Sequence, residues 1–249
     1  MTNSPSAIRL ESISKSFGSR TVLRDVSFDV NKGSVFCILG RSGTGKSVTL
    51  KLMAGLLHAD EGQIYIGDRD ITNLNSRALV PVRKSIGFLF QNAALFDSIS
   101  VGENVAFPLR RHTNLPEDEI HSRAQNKLEQ VGLGKEYDKM PADLSGGMKK
   151  RAGLARALAL DPAIVLVDEP SAGLDPITSS EIDELLVNLK SSRNTTLVVV
   201  THNIPSARRI ADELIMLHEG GIIARGSVEE MEQTQDPIVQ RFMASEDAG

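Results

Sequence analysis

The segment Gly40-Arg41-Ser42-Gly43-Thr44-Gly45-Lys46-Ser47 constrains this chain more than any other. Its spacing, G-x-x-x-x-G-K-S, falls between a run that reads as a buried strand, 34–39, and one with helical apolar spacing, 46–57. Glycines let successive backbone N–H groups turn inward around an anion, and the helix that follows presents its positive end to the same place. In that geometry Lys46 bridges the β- and γ-phosphates of a nucleotide and the Ser47 hydroxyl ligates Mg2+. The plain alternative is a glycine-rich turn with an incidental lysine, and the flanking strand and helix weigh against it.

A phosphate loop needs a second element to hold the metal and orient water. The run Ile164-Val165-Leu166-Val167-Asp168-Glu169 offers one at the end of a buried strand. Asp168 at the strand end is expected to bind Mg2+, directly or through water. Glu169 points elsewhere and accepts a proton from attacking water. Seen alone, this acidic pair is more often a helix cap after a core strand. Further along the chain than the loop, Leu144-Ser145-Gly146-Gly147-Met148 opens a helix, so Ser145 and the N–H groups of Gly146 and Gly147 make a second anion site. As a bare helix N-cap, Ser-Gly-Gly has an ordinary structural reading too.

Around these motifs the chain begins with two antiparallel strands, 8–16 and 21–30, and adds short strands at 62–66 and 86–90. Helical patterns cover 116–131, with acidic residues in the first turn, and 144–160. From 164 onward strands and helices alternate: strand 164–167, helix 178–189, strand 195–200, helix 204–210 and a hairpin of 213–217 with 222–225. Such alternation implies a parallel sheet with crossover helices. The stretch 91–162 shows no strand pattern and is expected to stand out as a helical subdomain. A short helix after Gly226, a segment 237–244 and an acidic tail, 245–249, close the chain.

With 249 residues the chain suffices for one α/β domain or a core with a subdomain, and 41% apolar against 24% charged residues is an ordinary globular balance. A formal net charge of −4 gives no basic field, so nucleic acid is not an expected partner. The single Cys37 excludes an internal disulfide, and its apolar neighbours Phe36 and Ile38 mark it as a small buried hydrophobe rather than a reactive thiol. No run approaches the roughly 20 apolar residues of a membrane span, and the polar start 1–6 is unlike a signal peptide. The expected place is the cytosol, or the cytosolic side of a membrane partner.

The motifs stand in the order found in ABC-type ATPases, and the chain resembles that family over nearly its whole length. The resemblance implies one ABC ATPase domain, 1–249. It has a phosphate-loop core with a mostly parallel sheet and an antiparallel β-subdomain (1–90 and 163–249), and a helical subdomain bearing the Ser145-Gly146-Gly147 signature (91–162). It implies a head-to-tail dimer in which ATP lies between Gly40, Arg41, Ser42, Gly43, Thr44, Gly45, Lys46 and Ser47 of one copy and Ser145, Gly146 and Gly147 of the other. Asp175, in Ser171-Ala172-Gly173-Leu174-Asp175, then faces the interface, and Phe17 takes the place of the adenine-stacking aromatic. The resemblance makes Gln91 a sensor of Mg2+ and water that touches a membrane partner, and His202 a contact of the γ-phosphate beside Glu169 and Lys46. The Mg2+ ligands are then Ser47, Gln91 and Asp168. Phe17 as a core residue, and His202 as a surface or capping residue, are the plainer readings of those two side chains.

Met148 stands where the signature usually closes with glutamine, whose hydrogen bonds methionine cannot make. The combination Leu-Ser-Gly-Gly-Met-Lys-Lys-Arg, with the 40–47 loop and Asp168 through Ile177, most resembles the Mla/Mce-type lipid-transport cassettes of double-membrane bacteria and plastids. That resemblance implies ATP-driven transport of phospholipid or a related lipid. The expected partners are integral membrane permease subunits and a lipid-binding Mce-domain protein, and the expected location is peripheral, on the cytoplasmic face of the inner membrane. The basic run Lys149-Lys150-Arg151 reads as a solvated helix face, or less simply as a face toward a partner or lipid headgroups. An importer ATPase for another substrate remains open. A soluble clamp-type ABC ATPase usually carries tandem cassettes, coiled-coil insertions or zinc elements, which are not seen here; a phosphate-loop kinase would lack the signature and His202.

Overall fold

Two sheets of different character organise the chain, and the order of apolar residues decides which is which. The computed structural model describes residues 6–245, without the side chains of 192 and 193, so the polar residues 1–5 and the acidic tail beyond 245 lie outside the described residues. Strands β1 (Ser6–Phe17) and β2 (Arg20–Asn31) pair antiparallel, followed by β3 (Val35–Leu39), helix α1 (Lys46–Met53), β4 (Glu61–Ile66) and β5 (Arg69–Asp70). Then come α2 (Val80–Lys84), β6 (Ile86–Leu89), α3 (Val101–His112), α4 (Glu117–Gln130), α5 (Gly146–Ala157) and β7 (Ile164–Asp168). The chain ends with α6 (Pro176–Arg193), β8 (Thr196–Thr201), α7 (Ile204–Ile210), β9 (Glu213–His218), β10 (Gly221–Gly226), α8 (Val228–Glu232) and α9 (Pro237–Met243).

The antiparallel sheet has the order β2-β1-β4-β5, and the larger sheet the order β10-β9-β3-β8-β7-β6. In the latter β9, β3, β8, β7 and β6 run parallel, with β10 antiparallel at the edge. Every residue of β3, β7 and β8 is buried, as continuous apolar runs require when both faces of a parallel sheet are covered. The pleat sorts them between two cores. Val35, Cys37 and Leu39 of β3 face the helices α3 to α7, while Phe36 and Ile38 face α1 and the antiparallel sheet, where Phe36 stacks on Phe28 at 5.2 Å. Each large apolar side chain so buried contributes on the order of 1.5–3 kcal/mol.

Helices α1 and α6 differ in extent from the sequence expectation, each for a local reason. Helix α1 stops at Met53 because Gly55 turns the chain at φ 62. Helix α6 is longer than 178–189: Asp175 caps its start ahead of Pro176, and Asn194, left-handed at φ 53, ends it. The short α2 and β5 were too brief to show a period. Between β6 and β7 the described residues hold helices and no strand. There the buried Asn104 of α3 ties down the approach to its own helix, accepting from Phe96 N and donating to the carbonyls of Phe96, Ile99 and Ser100.

Candidate functional site

The 40–47 loop leaves the C-terminal end of β3, and its glycines are placed where a side chain does not fit. Gly45 has φ 105, and a Cβ there would lie 2.6 Å from a Leu23 methyl; at Gly40, φ 150, it would lie 2.5 Å from Leu217 O. Gly45 caps α1 without any side-chain hydrogen bond, so the first N–H groups of α1 are left to a ligand. Arg41, Ser42 and Gly43 are exposed, and Thr44 folds back, its hydroxyl donating to Arg41 O at 2.9 Å. Lys46 is buried at the centre, its ammonium donating to Gly40 O at 2.7 Å and Arg41 O at 3.3 Å.

The end of β7 closes on this loop. The Ser47 hydroxyl donates to Asp168 Oδ1 at 2.9 Å, and Lys46 Nζ lies 3.3 Å from Glu169 Oε1. Burial pushes the Asp168 carboxyl above its ordinary range, against the hydrogen bond from Ser47. A hydroxyl and one carboxylate beside an anion cradle suit Mg2+, which takes few protein ligands and keeps substrate phosphates and water. No group of three or more His, Cys, Asp or Glu able to hold a metal ion occurs among the described residues, which fits that sparse donor set rather than an all-protein cage.

Glu169 is held from several sides. Its backbone is left-handed at φ 47, a conformation that costs a non-glycine residue on the order of 1–3 kcal/mol and concentrates at functional sites. Its N–H donates to Val200 O at 2.9 Å, and its Oε2 meets His202 Nδ1 at 2.9 Å. Strand β8 delivers His202 to this point, with its side chain 42% exposed. Lys46, Ser47, Asp168, Glu169 and His202 therefore form one connected set. Phe17 is 48% exposed at the end of β1, which disfavours its reading as a core residue. The β1–β2 turn is fastened to the loop by Arg20, which donates to Gly43 O at 3.4 Å.

Other expected residues lie apart from that set. Gln91 follows β6 with its side chain exposed. Ser145 caps α5 by accepting from Met148 N at 3.3 Å, with Ser145 and Gly146 exposed and Gly147 buried against Thr178. Asp175 spends its carboxylate capping α6, accepting from Ile177 N, Thr178 N and the Thr178 hydroxyl. No hydrogen bond among the described residues joins 145–147 or Asp175 to the 40–47 loop.

A family model described as ABC transporter matches residues 23–172. The chain belongs to the ABC transporter family. The cassette is 43% identical over 237 residues to a probable ribonucleotide transport ATP-binding protein of Mycobacterium leprae, a match covering 95% of this chain and 68% of that one. It is 41% identical over 242 residues to the intermembrane phospholipid transport ATP-binding protein MlaF of Haemophilus influenzae, covering 97% of this chain and 92% of the relative. The chain spans about two thirds of the mycobacterial relatives it matches. Among solved structures, a dimeric ATP-binding cassette in a post-hydrolysis state bound to ADP and Pi superposes with a TM-score of 0.83 at 32% identity, covering 88% of this chain and 98% of the other. A nucleotide-free cassette from an ABC transporter gives 0.84 at 30%, covering 97% and 100%. The cassette is the ATP-binding subunit of an ABC transporter and hydrolyses ATP in support of transport. No helix among the described residues is long and apolar enough to cross a membrane.

One expectation of the cassette's sequence is corrected. Lys149-Lys150-Arg151 is not a solvated face: Lys150 is 6% exposed, with its ammonium donating to Gln91 O and, at 2.9 Å, to Glu169 O. Arg151 pairs with Glu181. The signal lay in the spacing, since Lys150 falls in line with the buried Gly147 and Leu154 at helical intervals.

Proposed function

We propose that the cassette drives the movement of phospholipid or a related lipid between membranes, as one half of an ATP-closed homodimer seated on integral membrane permease subunits at the cytoplasmic face. The observation that carries the lipid reading is the match to the phospholipid-transport relative along nearly the whole of both chains. The mycobacterial match supports ribonucleotide transport as a second reading, at similar identity but over two thirds of that relative.

In this reading ATP lies on the 40–47 loop and the uncapped end of α1, with Phe17 against the base. Ser47, Asp168 and, from the loop after β6, Gln91 would hold Mg2+, which would neutralise phosphate charge. Glu169 takes the proton of the attacking water, with Lys46 and His202 placed to contact the γ-phosphate. The exposed Ser145 and Gly146, with Gly147 behind them, have no hydrogen bond to their own chain's loop and serve a second copy, and Asp175 orders the same edge. Closure of two copies completes both sites. The helical part, 91–162, meets the permease through the groove lined by Phe90, Ala94, Phe96 and Phe107, a cavity of about 380 Å³ where Phe96 and Phe107 are each 45% exposed. A lipid-binding Mce-domain protein is the expected third component.

The test is copurification of the tagged chain from its own membranes, followed by reconstitution of the complex in proteoliposomes. A multi-span permease in the eluate and ATP-dependent transfer of labelled phospholipid are expected. Transfer of ribonucleoside instead, or no membrane protein in the eluate, overturns the lipid assignment.

A further inference from the structure

Helix α5 begins at the exposed Ser145 and runs beneath both Gln91 and Glu169, and two of its cations end on main-chain carbonyls. Lys150 Nζ donates to Gln91 O and to Glu169 O, the latter at 2.9 Å. Two turns on, Arg156 donates to Ala94 O at 2.7 Å and Ala93 O at 2.8 Å. Ala93 and Ala94 are both left-handed, at φ 57 and φ 50, which alanine adopts only when its surroundings enforce it. The loop after β6 is thus held at Gln91, Ala93 and Ala94 by one helix, and the same helix holds the peptide of Glu169.

A buried ammonium is costly, and burial does pull the Lys150 amine below its ordinary range, with Glu169 and Asp168 acting to restore it. An apolar residue at this position on the buried stripe would avoid that cost. What an apolar residue cannot do is link two carbonyls that belong to different strands' ends, Gln91 after β6 and Glu169 after β7.

We propose that Lys150 is a positioning residue for hydrolysis: its ammonium splices the Gln91 loop to the Glu169 main chain, so that displacement of the loop is transmitted to the base. The carboxylate of Glu169 is aimed by its strained backbone, and the splice fixes the carbonyl at the far side of that residue. Movement of Gln91 therefore changes the aim of Oε1 and Oε2 through the main chain of Glu169. This rests on the reading of Glu169 as the base.

The test compares Lys150→Met, Lys150→Arg and Glu169→Gln in the full-length chain. Lys150→Met is expected to keep affinity for a fluorescent ATP analogue within about twofold while kcat falls roughly tenfold or more at little-changed KM, and Lys150→Arg to restore most of the rate. A Lys150→Met rate within about twofold of wild type overturns the splice. Parallel loss of affinity, rate and melting temperature, with no rescue by arginine, also overturns it by reducing Lys150 to a packing role. Glu169→Gln separates the two readings: if it turns over normally, the base assignment fails, whereas an inert Glu169→Gln beside an active Lys150→Met leaves that assignment standing and removes only the splice.

Discussion

Lys46 Nζ lies 3.3 Å from Glu169 Oε1, and both side chains are at least nine-tenths buried. The phosphate loop and the end of β7 are thereby joined through opposite charges in a buried place. Each charge depends on the other, since a buried ion deprived of its partner costs several kcal/mol.

Glu169→Gln removes the negative charge from beside Lys46 while keeping the shape. Nucleotide affinity should be retained or increased, turnover should fall by roughly 100-fold or more, and an ATP-bound dimer should accumulate. Phosphate release and light scattering with ATP measure both. Turnover close to wild type would remove Glu169 from the role of base.

Ser47→Ala deletes the hydroxyl that donates to Asp168 Oδ1. The Mg2+ concentration needed for half-maximal turnover should rise roughly tenfold or more, the scale seen when even a supporting group of a metal site is lost. Binding of nucleotide in the presence of chelator should change little. An unaltered Mg2+ titration would show that Ser47 is not a ligand.

Asp183 of α6 is buried against α7, where it accepts from the Ser206 hydroxyl and lies 3.5 Å from Arg209 Nη1. Burial raises its carboxyl above the ordinary aspartate range, and Ser206 and Arg209 offset this only in part. The folded chain therefore holds this proton more tightly than the unfolded one. The site then loses stability as pH rises from the ordinary aspartate range through the raised value. Relative to wild type, Asp183→Asn should become more favourable across that same window. Urea midpoints at pH 4 and pH 7 give the sign, and a difference independent of pH would refute it.

Cys37 is fully buried in β3, and burial, with Asp183 and Asp212 adding to it, pushes its thiol far above the ordinary range. The native chain should not react with an aromatic disulfide reagent over the time in which the urea-unfolded chain reacts with one equivalent. Rapid modification of the folded protein would contradict the packing of β3.

The features legible in the sequence were those written in local spacing. The 40–47 loop, the paired carboxylates after an apolar strand and the Ser-Gly-Gly helix start each carry their geometry within a few residues. The connected set of Lys46, Glu169 and His202 needed the order of β3, β8 and β7, which the apolar runs suggest but do not register. Lys150 was misread because composition spoke louder than period: three cations in a row look like surface, although helical spacing aligns the middle one with Gly147 and Leu154. The left-handed backbone of Glu169, Ala93 and Ala94 had no signal at all, because glutamate and alanine are not residues that announce a turn.

The division of β3 between two cores has a consequence for how such a chain diversifies. Val35, Cys37 and Leu39 answer to the helices, Phe36 and Ile38 to α1 and the antiparallel layer, and no side chain of this strand belongs to both. Drift in the helical half can proceed without disturbing the packing of Phe36 and Ile38 against α1. Substitutions can therefore accumulate on one face of the sheet while the other keeps its fit.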